Sequence, residues 1–450
     1  MPYLRAWDHE LWGQDLTEIT AEILAKAKAP SVGLRWYVLG IMCLGYAINI
    51  ADRYVVTTVM EPMRLDLHLS DSGVALLTGP PLALFYVTLG IPISWLADNT
   101  NRRNILAGAL IAWSAMTSFC GLSRNYGQFM LARIGVGVGE AGGTPPANSI
   151  IADYFPAARR PMAMTIFALG APFGAYMGAD IAGWVANLYG WRAAFLALGL
   201  PGMILGLVVL LTIREPVRGC LDAKDDSAKP SFAQTMAFLW KQKAAVHVVM
   251  GCGISALWGW GLMWFTPTFL QRTYSLSVGE AGAIVGPIHL IAGTIASLAT
   301  AWILAQRPFI DPRRVVWLLA FGVGIATIPS FIAYQTHSLD LARAMLWIFI
   351  PAIYLYIGPA MALLLNLAPA KMRATFIAVE LLVANVLNLI VAPQGVGLIS
   401  DLAAGPQGPD AASLRLALLI LAPTGFWAAW HYWAAGKTVI EEQKVAIGYL

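Results

Sequence analysis

Long apolar runs alternate with short polar breaks along the whole chain. A bilayer-spanning helix needs about 20 mostly apolar residues. By that measure the pattern predicts twelve spans, at 35–60, 74–97, 103–122, 127–152, 162–188, 191–213, 244–271, 281–304, 314–334, 343–367, 373–400 and 414–434. The longest polar connection, Arg214 to Lys243, falls between the sixth and seventh. The expected fold class is all-α integral membrane, with twelve transmembrane helices in two pseudo-symmetric six-helix bundles. Residues 34–213 form the first bundle and 244–434 the second. Segment 1–33 precedes them, a linker at 214–243 joins them, and a tail at 435–450 follows. In the leading segment Leu16, Ile19, Ile23 and Leu24 recur at helical spacing and predict a short amphipathic surface helix. The acidic residues there break any continuous apolar core, so a cleavable signal is not expected.

Basic residues orient the chain. With both termini on one side, 21 Lys and Arg fall in segments on that side. Only Arg64, Arg124, Arg192, Arg272, Arg343 and Arg415 fall on the other, and Arg53 and Arg133 lie inside spans. The positive-inside rule then puts both termini, the linker and the tail in the cytoplasm. Short inner loops fit a multi-pass protein of a bacterial inner membrane.

The halves repeat weakly. Leu69-Ser70 with Gly79-Pro80 is matched by Leu276-Ser277 with Gly286-Pro287 at the same spacing. Ala171-Pro172 in span five is matched by Ala392-Pro393 in span eleven. Carriers built from such repeats bind substrate near the midplane between two halves.

Composition supports a lipid-solvated molecule. Hydrophobic residues make up 58% and charged residues 12%, against about 25% charged in soluble domains. The net charge of +4 is dispersed, which argues against a nucleic-acid partner. Four Cys and six His show no ligand spacing, so no metal and no cofactor are expected. No HExxH or GxSxG occurs, and an enzyme is not expected. A small-molecule substrate, protons and the lipid bilayer are the expected partners, and the chain is expected to act as a monomer.

The sharpest chemistry is charge inside the spans. Such a residue costs at least about 2.5–3.5 kcal/mol at the bilayer centre and is a functional candidate by default. Asp52, Arg53, Arg133 and Glu140 qualify. Arg133 and Glu140 are two turns apart on one face of span four, while Gly135, Gly139 and Gly143 line another and admit a neighbouring helix. On span one, Tyr46, Asn49, Arg53 and Thr57 form a polar stripe with Asp52 on its flank. Counting depth from the span ends places Arg133 between Asp52 and Glu140, able to pair with either. Burial favours a neutral carboxyl and a nearby Arg a charged one, so an arginine changing partners would couple proton binding to movement; a static pair that fixes packing is the alternative. Further cavity candidates are Trp260, Trp264, Tyr354, Glu380 and Asn385, each open to a packing or interface role instead. Asp98, Arg102 and Arg103 form either a cytoplasmic gate latch or a solvated turn.

Several motifs resemble the major facilitator superfamily. Leu96-Ala97-Asp98 through Arg102-Arg103 resembles its signature loop, with Ser94, Asn99 and Asn101 departing from the usual pattern. Arg133 through Ala141 resembles its conserved-arginine helix. Gly190-Trp191-Arg192 and Gly397-Leu398-Ile399-Ser400-Asp401 are similar to its spans six and eleven. Asn49 through Tyr54, with Gly139-Glu140-Ala141 and Ile151 through Pro156, resembles the Spinster branch more narrowly. The resemblance implies the major facilitator fold and secondary transport by alternating access. It implies proton coupling through Asp52 and Glu140, a switch role for Arg133 and a loop at Asp98 that holds the outward-facing state. An amphipathic or anionic substrate is expected, lipid-like molecules included, whose negative group meets Arg53 or Arg133. A proton-independent organic-acid carrier of the same fold is the alternative.

Overall fold

The computed structural model describes residues 31–156, 159–216, 231–307 and 311–448, and among them every regular element is helical. Eleven helices among the described residues are long and apolar enough to cross a membrane. In the first half these are Val32–Thr58 (span one), the helix beginning Asp71 (span two), Arg102–Leu122 (three), Arg160–Tyr189 (five) and Trp191–Thr212 (six). In the second half they are Lys243–Tyr274 (seven), Val278–Leu304 (eight), Pro312–Gln335 (nine), Leu339–Leu367 (ten), Thr375–Ala403 (eleven) and Ala411–Ala435 (twelve). The twelfth crossing is span four, which is broken into Tyr126–Glu140 and Thr144–Tyr154. Gly142 and Gly143 loosen it there, and Pro145 and Pro146 cannot donate backward, so a new helix starts on them. Span two is broken the same way, into Asp71–Thr78 and Pro80–Asn99, at Gly79-Pro80.

Polar caps set the ends. Ser31, Ser70, Asn101, Asn125, Ser277, Asp311, Ser338 and Asp410 each accept a backbone N–H at a helix start, supplying the partner that the first turn lacks. The predicted helix around Leu16–Leu24 lies outside the described residues, as does most of the connection after Pro216. Two short helices were not foreseen. Phe232–Lys241, opened by a Ser231/Gln234 capping box, lays Phe238 against Phe376 of span eleven. Val439–Gly448 brings Glu442 to the backbone N–H of Ala244, 2.8 Å away, at the start of span seven.

Within each half, glycines let helices touch backbone to backbone. A Cβ on Gly139 would lie 2.7 Å from Trp113 of span three, and one on Gly199 2.6 Å from the Ser114 carbonyl. Between the halves, spans two and eleven cross, and so do spans five and eight. A Cβ on Gly79 would strike the Leu389 carbonyl at 1.8 Å, and one on Gly282 the Ala179 carbonyl at 2.3 Å. Both crossings coincide with irregular backbone. Span two is broken at Gly79, and π-helical turns occur at Met177–Ile181 of span five, Ile288–Gly293 of span eight and Val386–Val391 of span eleven. Such turns interrupt the regular ladder and cluster at functional places. The proline at 172 predicts only a kink; the irregular turn starts farther along.

We call the side where both described ends emerge the terminal face, and the opposite side the distal face. The contacts joining the halves gather on the distal side. Toward the terminal face, spans four, five, ten and eleven make their principal contacts inside their own half, and the halves part.

Gly282→Ala drives a methyl into backbone. We expect it to cost about 1–3 kcal/mol, read as a lower detergent melting temperature. Gly358→Ala, whose Cβ meets nothing within 4 Å, leaves the melt unchanged.

Candidate functional site

The intramembrane charges of the first half form one cluster. Asp52, Arg133 and Glu140 are each fully buried. Arg53, whose side chain is 19% exposed, pairs with Glu140 through Nη2 at 2.8 Å and Nε at 3.2 Å. Arg133 takes another course. Its Nε and Nη2 donate to the carbonyls of Leu77 and Thr78, at 3.2 and 3.3 Å. Those carbonyls end the first segment of span two, where no helical N–H is left for them, so the arginine caps the break. The expected arrangement, Arg133 held between two carboxylates, is therefore not the one found. Helical depth counting along single spans could not show that the broken span two offers Arg133 free carbonyls, or that Arg53 reaches Glu140 first.

Asp52 is left without a bonded cation. Neither of its oxygens has a hydrogen-bond partner, and Arg133 Nη1, Glu140 Oε1 and Thr117 Oγ1 are also unpartnered. Glu140, Arg133, Arg53 and the Thr117 hydroxyl are the groups that act on Asp52. The glycine stripe of span four explains why Thr117 is there, since it lets span three approach.

The other stripe residues of span one diverge. Tyr46 stacks on Phe167 of span five, ring centroids 4.8 Å apart, and helps line an apolar crevice with Met42, Leu110, Trp113 and Ala147. Asn49 is buried. Thr57 turns its hydroxyl onto the Tyr54 carbonyl at 2.8 Å and presents no free donor to a cavity.

Tyr54 carries span one into the second half. Its ring lies 4.9 Å from His289, 6.1 Å from Trp264 and 6.3 Å from Trp260. His289 Nδ1 and the Tyr354 hydroxyl are 2.8 Å apart, and Trp264 Nε1 donates to Asn388 Oδ1 at 2.8 Å. Trp260, Trp264 and Tyr354 thus meet in one aromatic nest across the seam. Asn385 is half-buried, just before the π turn of span eleven. Glu380 is buried beside Cys252. His289 was not singled out by sequence, because its partner lies 65 residues away.

The distal seam is tied by charge. Arg272 of span seven meets Glu61 at 2.6 Å and Asp71 at 2.6 Å, both from the first half. Asp401, ending span eleven, accepts the backbone N–H groups of Asp71 and Ser72 at 2.8 and 2.9 Å, and the Ser72 hydroxyl. A carboxylate on the positive end of span two is favoured by the helix dipole. Ser400 adds a hydroxyl to Asp71 at 2.7 Å. Burial pushes the Glu61 carboxyl up, but hydrogen bonds and charge from Arg64 and Arg272 outweigh it and hold it below its ordinary 4.5.

At the terminal face, Arg102 is buried against Asp153 at 2.5 Å and Glu215 at 2.7 Å. The Arg103 backbone N–H donates to Glu215 at 2.9 Å. These bonds join the first half to the start of the linker. The Asp98 side chain lies outside the described atoms.

The family model described as Major Facilitator Superfamily matches residues 42–393. An "MFS-type efflux pump" of Mycolicibacterium smegmatis is 28% identical over 91% of this chain and 95% of its own length. The "Sphingosine-1-phosphate transporter SPNS2" of Danio rerio is 25% identical over 80% of this chain and 75% of its own. The solved structure of a bacterial homologue of the human lysosomal transporter Spinster, inward-facing and occupied, superposes with a TM-score of 0.80. It is 30% identical to this chain, over 92% of this chain and 99% of its own.

Removing Arg272 leaves the buried Asp71 and the half-buried Glu61 with Arg64 as the cation that still meets both. Breaking a buried pair costs about 3–5 kcal/mol. In the Arg272→Ala variant we expect a cysteine placed at Gln271 to react at least about tenfold faster with an impermeant maleimide. Because Glu61 is held low, its contribution is complete above the ordinary value and lost as pH falls through the lowered one. Acidification across that window should raise the labelling of the Gln271 cysteine, with Arg272 intact, relative to a fully exposed cysteine at the same pH, which cancels the fall in thiolate; a pH-independent ratio would contradict the latch.

Proposed function

The chain belongs to the Major Facilitator Superfamily and is a transporter of Spinster-like type, and from that premise we propose that it moves a small amphipathic or anionic molecule by alternating access, coupled to protons through Asp52 and Glu140. The observation that carries this reading is Asp52: a fully buried carboxylate with neither oxygen partnered, beside an arginine that has a free donor. A bare carboxylate there is costly, and taking a proton removes the charge.

The positive-inside rule makes the terminal face cytoplasmic, in a bacterial inner membrane. The arrangement described is then inward-open, with the distal latch closed. In this state Arg53 neutralises Glu140 and Asp52 holds the proton. When the latch opens, the segments of span two shift about Gly79 and release Arg133 from the Leu77 and Thr78 carbonyls. Arg133 Nη1 then pairs with Asp52, whose O–H breaks and gives its proton to water. If Arg53 is drawn away by the anionic group of a substrate, Glu140 takes a proton in turn. Binding energy spent on one state shifts the equilibrium by its difference between states.

The charged cluster and the apolar surfaces around it suit an amphipath. Arg53 is the partly exposed cation for an acidic head. The crevice beside Tyr46 is lined almost wholly by apolar side chains. Lipid-like molecules fall in this class.

Proton release from the purified chain tests the proposal. We expect native protein to show a titration between about pH 5 and 8, outside the ordinary carboxylate range, that Asp52→Asn removes and Glu140→Gln alters. If both variants titrate as the native chain does, the cluster is a static ion-pair network, and a proton-independent facilitator is what stands.

A further inference from the structure

Glu380 has no part in the cluster of the first half. It lies about 10 Å inside span eleven from Arg373, by the helical rise, and is 5% exposed. Its Oε2 has no hydrogen-bond partner. Among the described residues no Lys, Arg or His acts on it; the side chain that acts on it is the Cys252 thiol of span seven. Tyr356 of span ten also faces it. Behind Cys252, Tyr432 of span twelve places its hydroxyl 3.6 Å from the sulfur and 3.4 Å from Ser255. The linker helix lays the ring of Phe238 on Phe376. In the first half two carboxylates face two guanidiniums. Here one carboxylate faces thiol and phenol groups and no cation.

We propose that Glu380 is a second proton-carrying site, in the second half of the molecule and independent of Asp52 and Glu140. A carboxylate at this depth is neutralised by a cation or by a proton. Hard metal cations take six or more oxygen ligands, and a thiol with two phenols does not supply them. A proton satisfies the site with no further ligand.

The place of Glu380 in the fold ties it to movement. Span eleven divides at the π turn Val386–Val391. Beyond that turn Asp401 pins it to span two, and at the turn the Leu389 carbonyl lies on Gly79. Glu380 sits about 9 Å to the terminal side of the turn, on the part that leaves the first half. Rotation about the turn carries Glu380 away from Cys252 and Tyr356 toward the terminal-side vestibule. There its O–H bond breaks, the proton passes to water and the carboxylate remains hydrated. Return to the described arrangement requires the proton back.

The test uses the full chain in detergent, with proton itself as the ligand. Infrared spectra through a titration from about pH 5 to 9, a range outside the ordinary carboxylate values, report carboxylic C=O stretches, and a pH dye counts the protons released. We expect a native C=O band that Glu380→Gln abolishes and Asp52→Asn keeps, with one proton fewer released by Glu380→Gln. Glu380→Asp should keep the proton and move the band, which preserves the test if the glutamine variant fails to fold. Native and Glu380→Gln spectra that coincide, an equal proton count, or no carboxylic band from Glu380→Asp overturns the site. Because Asp52→Asn and Glu140→Gln are read in the same series, loss of the first-half reading and loss of this one are distinguishable.

Discussion

A guanidinium and a carboxylate buried in lipid-solvated protein must find each other or be neutralised. The Arg53–Glu140 pair, at 2.8 Å, is the contact around which the first half is arranged. A lone charge at membrane depth costs several times the thermal energy, so each remaining ionisable group is placed by what that pair leaves over. Glu140 has taken Arg53. Asp52 is left with no bonded cation, and Arg133 turns to the carbonyls that span two exposes at its break. Electrostatics and backbone geometry are thus one problem here, because the arginine that could neutralise Asp52 is holding a helix end.

That helix end is also where the halves meet. Gly79 lies against the Leu389 carbonyl, next to a π turn in span eleven, and the same span carries Asp401 onto the start of span two. Movement at the crossing cannot leave the Leu77 and Thr78 carbonyls where Arg133 finds them. Spans five and eight repeat the device with π turns in both members. Packed helices do not deform continuously, so irregular turns at the two crossings are the places where the backbone can take up a change of tilt. The distal latch adds a charged lock to that hinge, and the Glu61 carboxylate that Arg64 and Arg272 hold low makes it sensitive to acid.

Much of this was legible in the sequence. Apolar run length and the Lys/Arg asymmetry gave the crossings, and the rarity of charge in the spans picked out Asp52, Arg53, Arg133 and Glu140. Gly135, Gly139 and Gly143 announced a close helix contact, which Met116 and Trp113 fill. What the sequence withheld were pairings between distant positions. Arg272 reads as an ordinary outer-loop cation until Glu61 and Asp71 are brought to it, 211 and 201 residues away. Thr57 fits a polar stripe by spacing, but a hydroxyl can satisfy itself on its own helix, and it does. The breaks at Gly79 and Ala141–Gly143 interrupt apolar runs whose hydropathy stays high, so periodicity alone runs through them.

The most direct measurement is the distance between spin labels at Leu65 and Leu402, on the distal ends of the two halves, in protein reconstituted into liposomes at a series of pH values. Both positions are exposed. Coupling of Asp52 protonation to the rocking movement requires the distance distribution to change with pH in the Glu380→Gln background as in the native chain, and to become pH-independent when Asp52→Asn is added to that background, at pH values above those that act on Glu61. A Glu380→Gln distribution that does not respond to pH in that range, or one that responds in the same way with Asp52→Asn added, contradicts the account.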